Sequence, residues 1–285
     1  MRTKSIRIQK KCVLCGSSKS KTIFVYRAPD QYESVIGVKN SGYSRRWVRC
    51  RNCGLYYTIN SSEKIIHKIY TSAYRNKNAP WRDRLPEDVF KKAVALPREK
   101  SETKMRVKWI KDRLTEAIRD GLVEKTPRPY RFLDIGGGTG VFAYTFKDKL
   151  WLPHVIDPDQ NSGFIKTKLR IPLKQILYRP GIFPHKFNLI SLIYVLEHIV
   201  NPLKFLKTIR TDMLDEAFLF IEVPDSIAFS IKPKHDDIFN STHLWMFDPK
   251  TLTGLLDHSG FKILYINRLK TIRGNFALMA LAKQK

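Results

Sequence analysis

The chain has 285 residues, 43% of them apolar, and carries 52 Lys and Arg against 26 Asp and Glu, a net charge of +26. That apolar share is ample for a packed core, but no apolar run approaches the roughly 20 residues needed to span a bilayer, and the basic start lacks the apolar stretch of a secretion signal. The expectation is a cytoplasmic protein of one large domain with a small appendage.

The charge is densest at the N-terminus. Residues 1–60 hold 13 Lys and Arg against 2 Asp and Glu, residues 61–130 hold 18 against 10, and residues 131–285 hold 21 against 14. Such a field attracts polyanions, whether RNA, acidic lipid surfaces or phosphorylated small molecules such as nucleotide-sugars. A chain from a lineage with a basic proteome would carry the same excess.

All four cysteines fall in the first 60 residues, as Cys12-x-x-Cys15-Gly16 and Cys50-x-x-Cys53-Gly54. In a reducing compartment two such pairs are a metal pattern rather than a disulfide framework. Each pair contributes two thiolates, and the following glycine permits the turn that aims backbone amides at sulfur. Together they complete a tetrahedral structural Zn2+ site with no open position. A redox-active pair is the competing reading, but neither pair opens a thioredoxin-like βαβ unit. Strands are expected at Thr22–Tyr26 and Arg46–Arg49. Between the knuckles, Asp30-Gln-Tyr-Glu33 and Ser44-Arg-Arg-Trp47 interleave aromatics with charge, either as a stacking surface for a base or sugar or as a small core with a wet face.

Residues 61–128 read as mainly helical. Ser61-Ser62-Glu63-Lys64 can start a helix carrying Ile65, Ile66 and Ile69. After the Pro80 and Pro86 breaks, Val107, Ile110, Leu114, Ala117 and Ile118 recur at helical spacing and stop near Gly121. Lys104, Arg106, Lys108, Lys111 and Arg113 are expected on that helix's solvated face.

From 129 onward strand and helix alternate, the pattern of a mostly parallel sheet covered on both faces. Strands are expected to end at Asp134 and to run over His154–Asp157, Gln175–Tyr178, Phe187–Ile193 and Ala217–Val223. Helices follow Thr139, Pro202 and the Asp248-Pro249 cap, the last stopping at Ser259-Gly260. An irregular insert occupies about 225–247, and a hairpin of Lys262–Asn267 and Asn275–Ala282 closes the chain around Gly274.

The stretch that organises this half is Phe132-Leu-Asp-Ile-Gly-Gly-Gly-Thr-Gly140. Glycines at 136, 138 and 140 allow positive φ and let a ligand press against bare main chain. A dinucleotide fingerprint has its acid only after the next strand; here Asp134 stands at the mouth of the turn. The pattern resembles the first motif of class I S-adenosylmethionine (SAM)-dependent methyltransferases, in which that acid faces the cationic end of the cofactor. Asp157, 23 residues later, sits where one carboxylate can accept both hydroxyls of a ribose, or where it would cap the next segment. Tyr194-Val-Leu-Glu197-His198 looks like the signature of small-molecule methyltransferases of the ubiquinone and sugar type. Thr242-His243-Leu-Trp-Met-Phe247 and Ser259-Gly260-Phe261 resemble segments of such enzymes that carry an N-terminal Cys₄ module. Phe187-Asn188 departs from the usual Phe-Asp, and no acid for the adenine amine follows the third strand; backbone groups, Ile182 or Phe183 would have to serve.

The resemblance implies an α/β fold, a Rossmann-like seven-stranded mostly parallel sheet with a C-terminal antiparallel hairpin, plus a small N-terminal zinc ribbon. It divides the chain into a zinc module at 1–60, a helical linker or cap at 61–128 and a SAM-binding domain at 129–285 with a substrate insert at about 225–247. SAM is expected against Asp134, Gly136, Gly138, Gly140, Asp157 and Tyr194. Methyl transfer to a hydroxyl needs alignment and a proton acceptor, for which His243, His198 and Tyr194 are the candidates, His243 first. The expected acceptor is a small molecule or glycan, anionic if nucleotide-linked. An RNA methyltransferase docking RNA on its zinc module is the alternative; the cysteines are committed to metal, which argues against a cysteine-nucleophile mechanism on pyrimidine carbon. A non-catalytic adaptor is the third reading.

Overall fold

The computed structural model describes residues 11–59, 85–122, 124, 128–272 and 274–285. The helix expected to start at Ser61–Lys64 and the Pro80 break lie outside them. The N-terminal module contains β1 (Ser20–Tyr26), α1 (Gln31–Val35), β2 (Arg45–Cys50) and β3 (Tyr56–Ile59). β1 pairs with β2 and β2 with β3, all antiparallel. The strands expected at 22–26 and 46–49 are β1 and β2. Asp30 and Glu33 form a capping box that starts the single turn of α1.

Among the described residues that follow are two α-helices, α2 (Pro86–Ala95) and α3 (Glu102–Arg119). In α3, Ser101 accepts from the Lys104 amide, and Val107, Ile110, Leu114 and Ala117 form one buried stripe. The helix ends at Asp120, before Gly121 with φ +68°. One expectation for this helix fails. Arg106 does not face solvent; it is 7% exposed and reaches the buried carboxylate of Glu222. It lies one position before Val107 and so borders the apolar stripe, which carries it inward to an acid that needs a partner.

The large sheet is built from β4 (Tyr130–Ile135), β5 (Trp151–Ile156), β6 (Leu173–Lys174), β7 (Phe187–Ile193), β8 (Met213–Pro224), β10 (Phe261–Lys270) and β11 (Phe276–Gln284); β9 (Trp245–Met246) belongs elsewhere. Its order is β10-β11-β8-β7-β4-β5-β6. The β4–β5, β4–β7, β5–β6 and β7–β8 pairs are parallel, whereas β11 is antiparallel to both β8 and β10. The expected seven-stranded, mostly parallel sheet with a closing hairpin is therefore the observed one. Asn188, where an acid was usual, accepts from the Arg131 amide at 2.8 Å and serves the start of the sheet.

The third strand is displaced from its expected place. β6 is two residues long and lies at Leu173–Lys174, not Gln175–Tyr178. Ile176 and Leu177 are 40% and 52% exposed, so that apolar run has no sheet face to join. The Gln175 side chain instead ties the chain back to the carbonyls of Asp159 and Gln160.

The remaining helices are α4 (Val141–Phe146), α5 (Phe164–Thr167), α6 (Pro202–Ile209), α7 (Ala228–Ile231) and α8 (Pro249–His258). Asp248 and Thr251 form a capping box on α8, and Asn201 caps α6.

The insert is more ordered than expected. It contains α7 and a turn at Asp237–Phe239, and its β9 pairs antiparallel with β3, so the small sheet runs β1-β2-β3-β9. Trp47, fully buried, meets Phe229 and Phe239 of the insert edge-on, and Phe229 stacks on Tyr56 at 4.2 Å between centroids. Arg45 is 2% exposed and donates to the Phe239 carbonyl. Arg45 and Trp47 are therefore core that grips the insert, not a stacking surface for a base, and Arg46 between them faces solvent. A single apolar cluster runs from Cys12, Val48 and Tyr57 of the module to Leu133, Leu192 and Ile221 of the large sheet.

Candidate functional site

β4 lies between β5 on one side and β7 on the other, so the chain's connections diverge at its carboxyl end. A parallel sheet opens a ligand crevice at such a point. The expected residues Asp134, Gly136, Gly138, Gly140, Asp157 and Tyr194 all belong to the ends of β4, β5 and β7 or to the turn between β4 and α4.

The turn demands glycine. Gly136, Gly138 and Gly140 have φ of +73°, +59° and +71°. A Cβ at 136 would stand 2.6 Å from Val195 Cγ2, and one at 140 would stand 3.0 Å from Ile165. The amide of Gly136 is bonded to the Ile156 carbonyl at 2.7 Å, which locks the turn to the end of β5.

Two carboxylates flank it. Asp134, 2% exposed, accepts from the Ser191 hydroxyl at 2.6 Å. Burial pushes its pKa up to about 7, with Ser191 opposing and the charge of Asp157 adding to the rise. Asp157, 1% exposed, accepts from the Gly138 amide at 2.7 Å and from the Asp159 amide at 2.9 Å. The next turn is capped by Asp159, which accepts from the Asn161 amide. Asp157 thus clasps the glycine turn, and capping falls to its neighbour.

Tyr194 follows β7 with φ +53°, and its amide donates to the Glu222 carbonyl at 2.9 Å. Burial, then the charge of Glu222, raises its phenol well above the usual range. Arg106 holds Glu222 through both carboxylate oxygens. Hence half-buried Tyr194 and the buried Glu222 and Arg106 form one polar group reaching from β7 through β8 to α3.

Three residues on, the chain makes a short turn at Leu196–His198. Glu197 is fully buried, and burial raises its pKa to about 8. His198 Nδ1 faces the Thr242 carbonyl at 2.8 Å, and His243 Nδ1 faces that of Ile238 at 2.7 Å. The two rings lie 4.9 Å apart between centroids. Burial lowers His198 to about 3 and His243 to about 4, so both imidazoles are neutral at pH 7. Leu244 N donates to the Glu197 carbonyl at 2.8 Å, and Trp245 Nε1 donates to that of Ile199 at 2.7 Å. These bonds bring His243 from the insert to His198, 45 positions away in the chain.

Cys12, Cys15, Cys50 and Cys53 converge as the spacing anticipated. Their sulfurs are unbonded and lie within 4.8 Å of one another, with Cys12–Cys53 and Cys15–Cys50 at 3.5 Å. Gly16 N and Gly54 N close the two knuckles onto the Cys12 and Cys50 carbonyls.

Ile182 and Phe183 do not reach the crevice. Tyr178 and Gly181 both donate to Asp212, which immediately precedes β8, so this segment is held at the amino-terminal end of the strands. Phe183 packs on His154 and Phe187.

Sequence reading missed Ser191, Val195, Arg106 and Glu222 as parts of the site. Glu222 alone left a trace, as an acid inside the apolar run Phe218-Leu-Phe-Ile-Glu-Val223.

A family model described as "Methyltransferase domain" matches residues 103–266. Solved structures similar to the chain include an S-adenosylmethionine-dependent methyltransferase from Clostridium acetobutylicum, 12% identical over 61% of this chain and 89% of that one, TM-score 0.46. Another is 1,6-didemethyltoxoflavin-N1-methyltransferase from Burkholderia thailandensis with S-adenosylhomocysteine, 16% identical over 61% and 76%, TM-score 0.47. A third is an N-methyltransferase from Bradyrhizobium japonicum in complex with S-adenosyl-L-homocysteine, 12% identical over 70% and 99%, TM-score 0.46. No curated protein sequence matches the chain.

Proposed function

The chain belongs to the methyltransferase domain family, and from that premise we propose that it transfers a methyl group from SAM to a small-molecule or glycan acceptor. The observation that carries the reading is the pair of carboxylates, Asp134 and Asp157, on either side of a turn that has no room for a Cβ at Gly136 or Gly137. Asp134 would face the cationic amino-acid end of the cofactor, Gly136, Gly138 and Gly140 its body, and Asp157 the ribose hydroxyls. SAM supplies an electrophilic methyl on sulfur. The protein's task is to align the acceptor with it and to accept a proton where the acceptor is a hydroxyl.

Tyr194 stands at the end of β7 beside the turn, and Val195 packs on Gly136, so this loop would line the cofactor. His243, and His198 beside it, are the proposed proton acceptors. A carbonyl faces each Nδ1, which therefore carries the proton, leaving the lone pair on Nε2.

The four-cysteine cluster fits a structural zinc ion. Burial, with the charge of Cys50 adding, pushes the Cys12 thiol up to about 11, and burial raises Cys53 too, whereas, against burial, hydrogen bonds from Asn52 and neighbouring groups bring Cys15 down to about 6. A cation among sulfurs this close would hold all four as thiolates. Zinc there would hold the module that grips the insert.

The RNA alternative rests on one observation. A recess of about 400 Å³ beside the second knuckle is lined by Lys21, Arg49, Arg51 and Lys250, with one acid, Asp248, among them, a net-basic seat for phosphate.

Labelled methyl transfer from SAM into a fractionated extract of the host cell tests both. Label in the small-molecule or glycan fraction is expected; label in ribonuclease-sensitive material would replace the leading reading with the alternative.

A further inference from the structure

We infer that Glu197, His198 and His243 form a binding site for a divalent transition ion with open coordination positions, separate from the four cysteines. Their ligand atoms lie within 4.8 Å of one another. The Glu197 carboxylate is fully buried, and neither of its oxygens has a hydrogen-bond partner. Its Oε1 stands 3.8 Å from His198 Nε2, beyond hydrogen-bond reach. A buried carboxylate without a donor is costly to keep and asks for a reason. A small cation would satisfy it, with the two imidazoles beside it as further ligands.

The histidines are set for ligation. Each Nδ1 gives its proton to a backbone carbonyl, of Thr242 at 2.8 Å and of Ile238 at 2.7 Å, which fixes the lone pair on Nε2. Metal-binding histidines are commonly oriented in this way, the second nitrogen donating to a carbonyl or carboxylate. The segments that carry the three residues are pinned together by the Leu244 amide on the Glu197 carbonyl and the Trp245 indole on that of Ile199. Arg45, whose charge reaches His243, is itself paired with Asp30.

Two imidazoles and one carboxylate favour zinc and its first-row neighbours over magnesium or calcium, which prefer oxygen shells. The three ligands among the described residues leave room for water or an oxygen of an acceptor, whereas four thiolates close the cysteine site. This site stands on the cluster itself and not on the methyl-transfer reading. Ligation and proton acceptance use the same Nε2 lone pairs, so with an ion bound the two histidines are ligands and not bases.

The test is Co2+ titration of the full-length protein after chelator treatment, followed by absorption spectroscopy. Wild type is expected to take up two equivalents, one with an intense thiolate-to-cobalt band and one with weak visible bands alone. Glu197→Gln and His243→Gln, each made singly, are expected to keep the thiolate band, which shows the fold intact, and to bind the second equivalent at least tenfold more weakly. Uptake of a single equivalent bearing the thiolate band, or a second equivalent held equally well by both variants, would overturn the site.

Discussion

Asp30 receives both the amide and the hydroxyl of Ser241, at 2.5 and 2.8 Å, across 211 positions of sequence. The same carboxylate caps α1 and pairs with the buried Arg45. It thereby fastens the N-terminal module to the insert two residues before His243. Asp30→Ala is expected to lower stability by about 2–4 kcal/mol, since it strands a buried guanidinium and removes a helix cap. Denaturant titration measures that loss. If the module positions His243, turnover should fall further than SAM affinity, and an equal fall in both would reject the link.

The Arg106–Glu222 pair gives a second prediction. Glu222 is fully buried and Arg106 nearly so. Arg106→Met should cost about 3–5 kcal/mol, because the remaining carboxylate has lost its counter-charge. Adding Glu222→Gln to that variant should recover part of the loss, as read by the midpoint of chemical unfolding. A double variant no more stable than the single one would mean that the pair's charges are not what matters there.

Asp134 predicts a pH dependence. Its folded pKa is raised from 3.8 to about 7. Between these values the folded state keeps a proton that the unfolded chain has lost, so stability falls as pH rises through that window and levels off above it. Asp134→Asn should flatten this slope. An ionised Asp134 is what a cationic cofactor end would need, so SAM affinity should rise from about pH 6 to 8, with proton release on binding. Calorimetry in buffers of different ionisation enthalpy reads the proton count, and a pH-independent affinity would remove Asp134 from the site.

Gly136→Ala tests the turn. The new Cβ meets Val195 at 2.6 Å while φ stays at +73°. The backbone strain alone is about 1–2 kcal/mol. SAM affinity should drop at least tenfold by equilibrium dialysis. Adding Val195→Ala should relieve the clash but not the strain, so rescue should be partial. Full rescue would show that φ at 136 carries no cost.

Much of this architecture is local and was legible. Strand periodicity located six of the seven strands of the large sheet; the edge strand β6 escaped because Ile176 and Leu177, which read as strand, are exposed apolar residues with no sheet partner. The glycine turn, the Asp248 cap and the cysteine knuckles were legible because φ, capping and ligand spacing are set within a few residues of chain.

The sequence by itself determined the fold class, the position of the glycine turn with its two acids, and the four-cysteine cluster. Only the tertiary structure decided that Arg106 turns inward to an acid 116 positions away, that β9 completes the N-terminal sheet, and that Glu197 and His198 meet His243. The reason is physical. Each of these depends on which elements the folded core brings together, and a side chain's charge or aromaticity does not encode its distant partner.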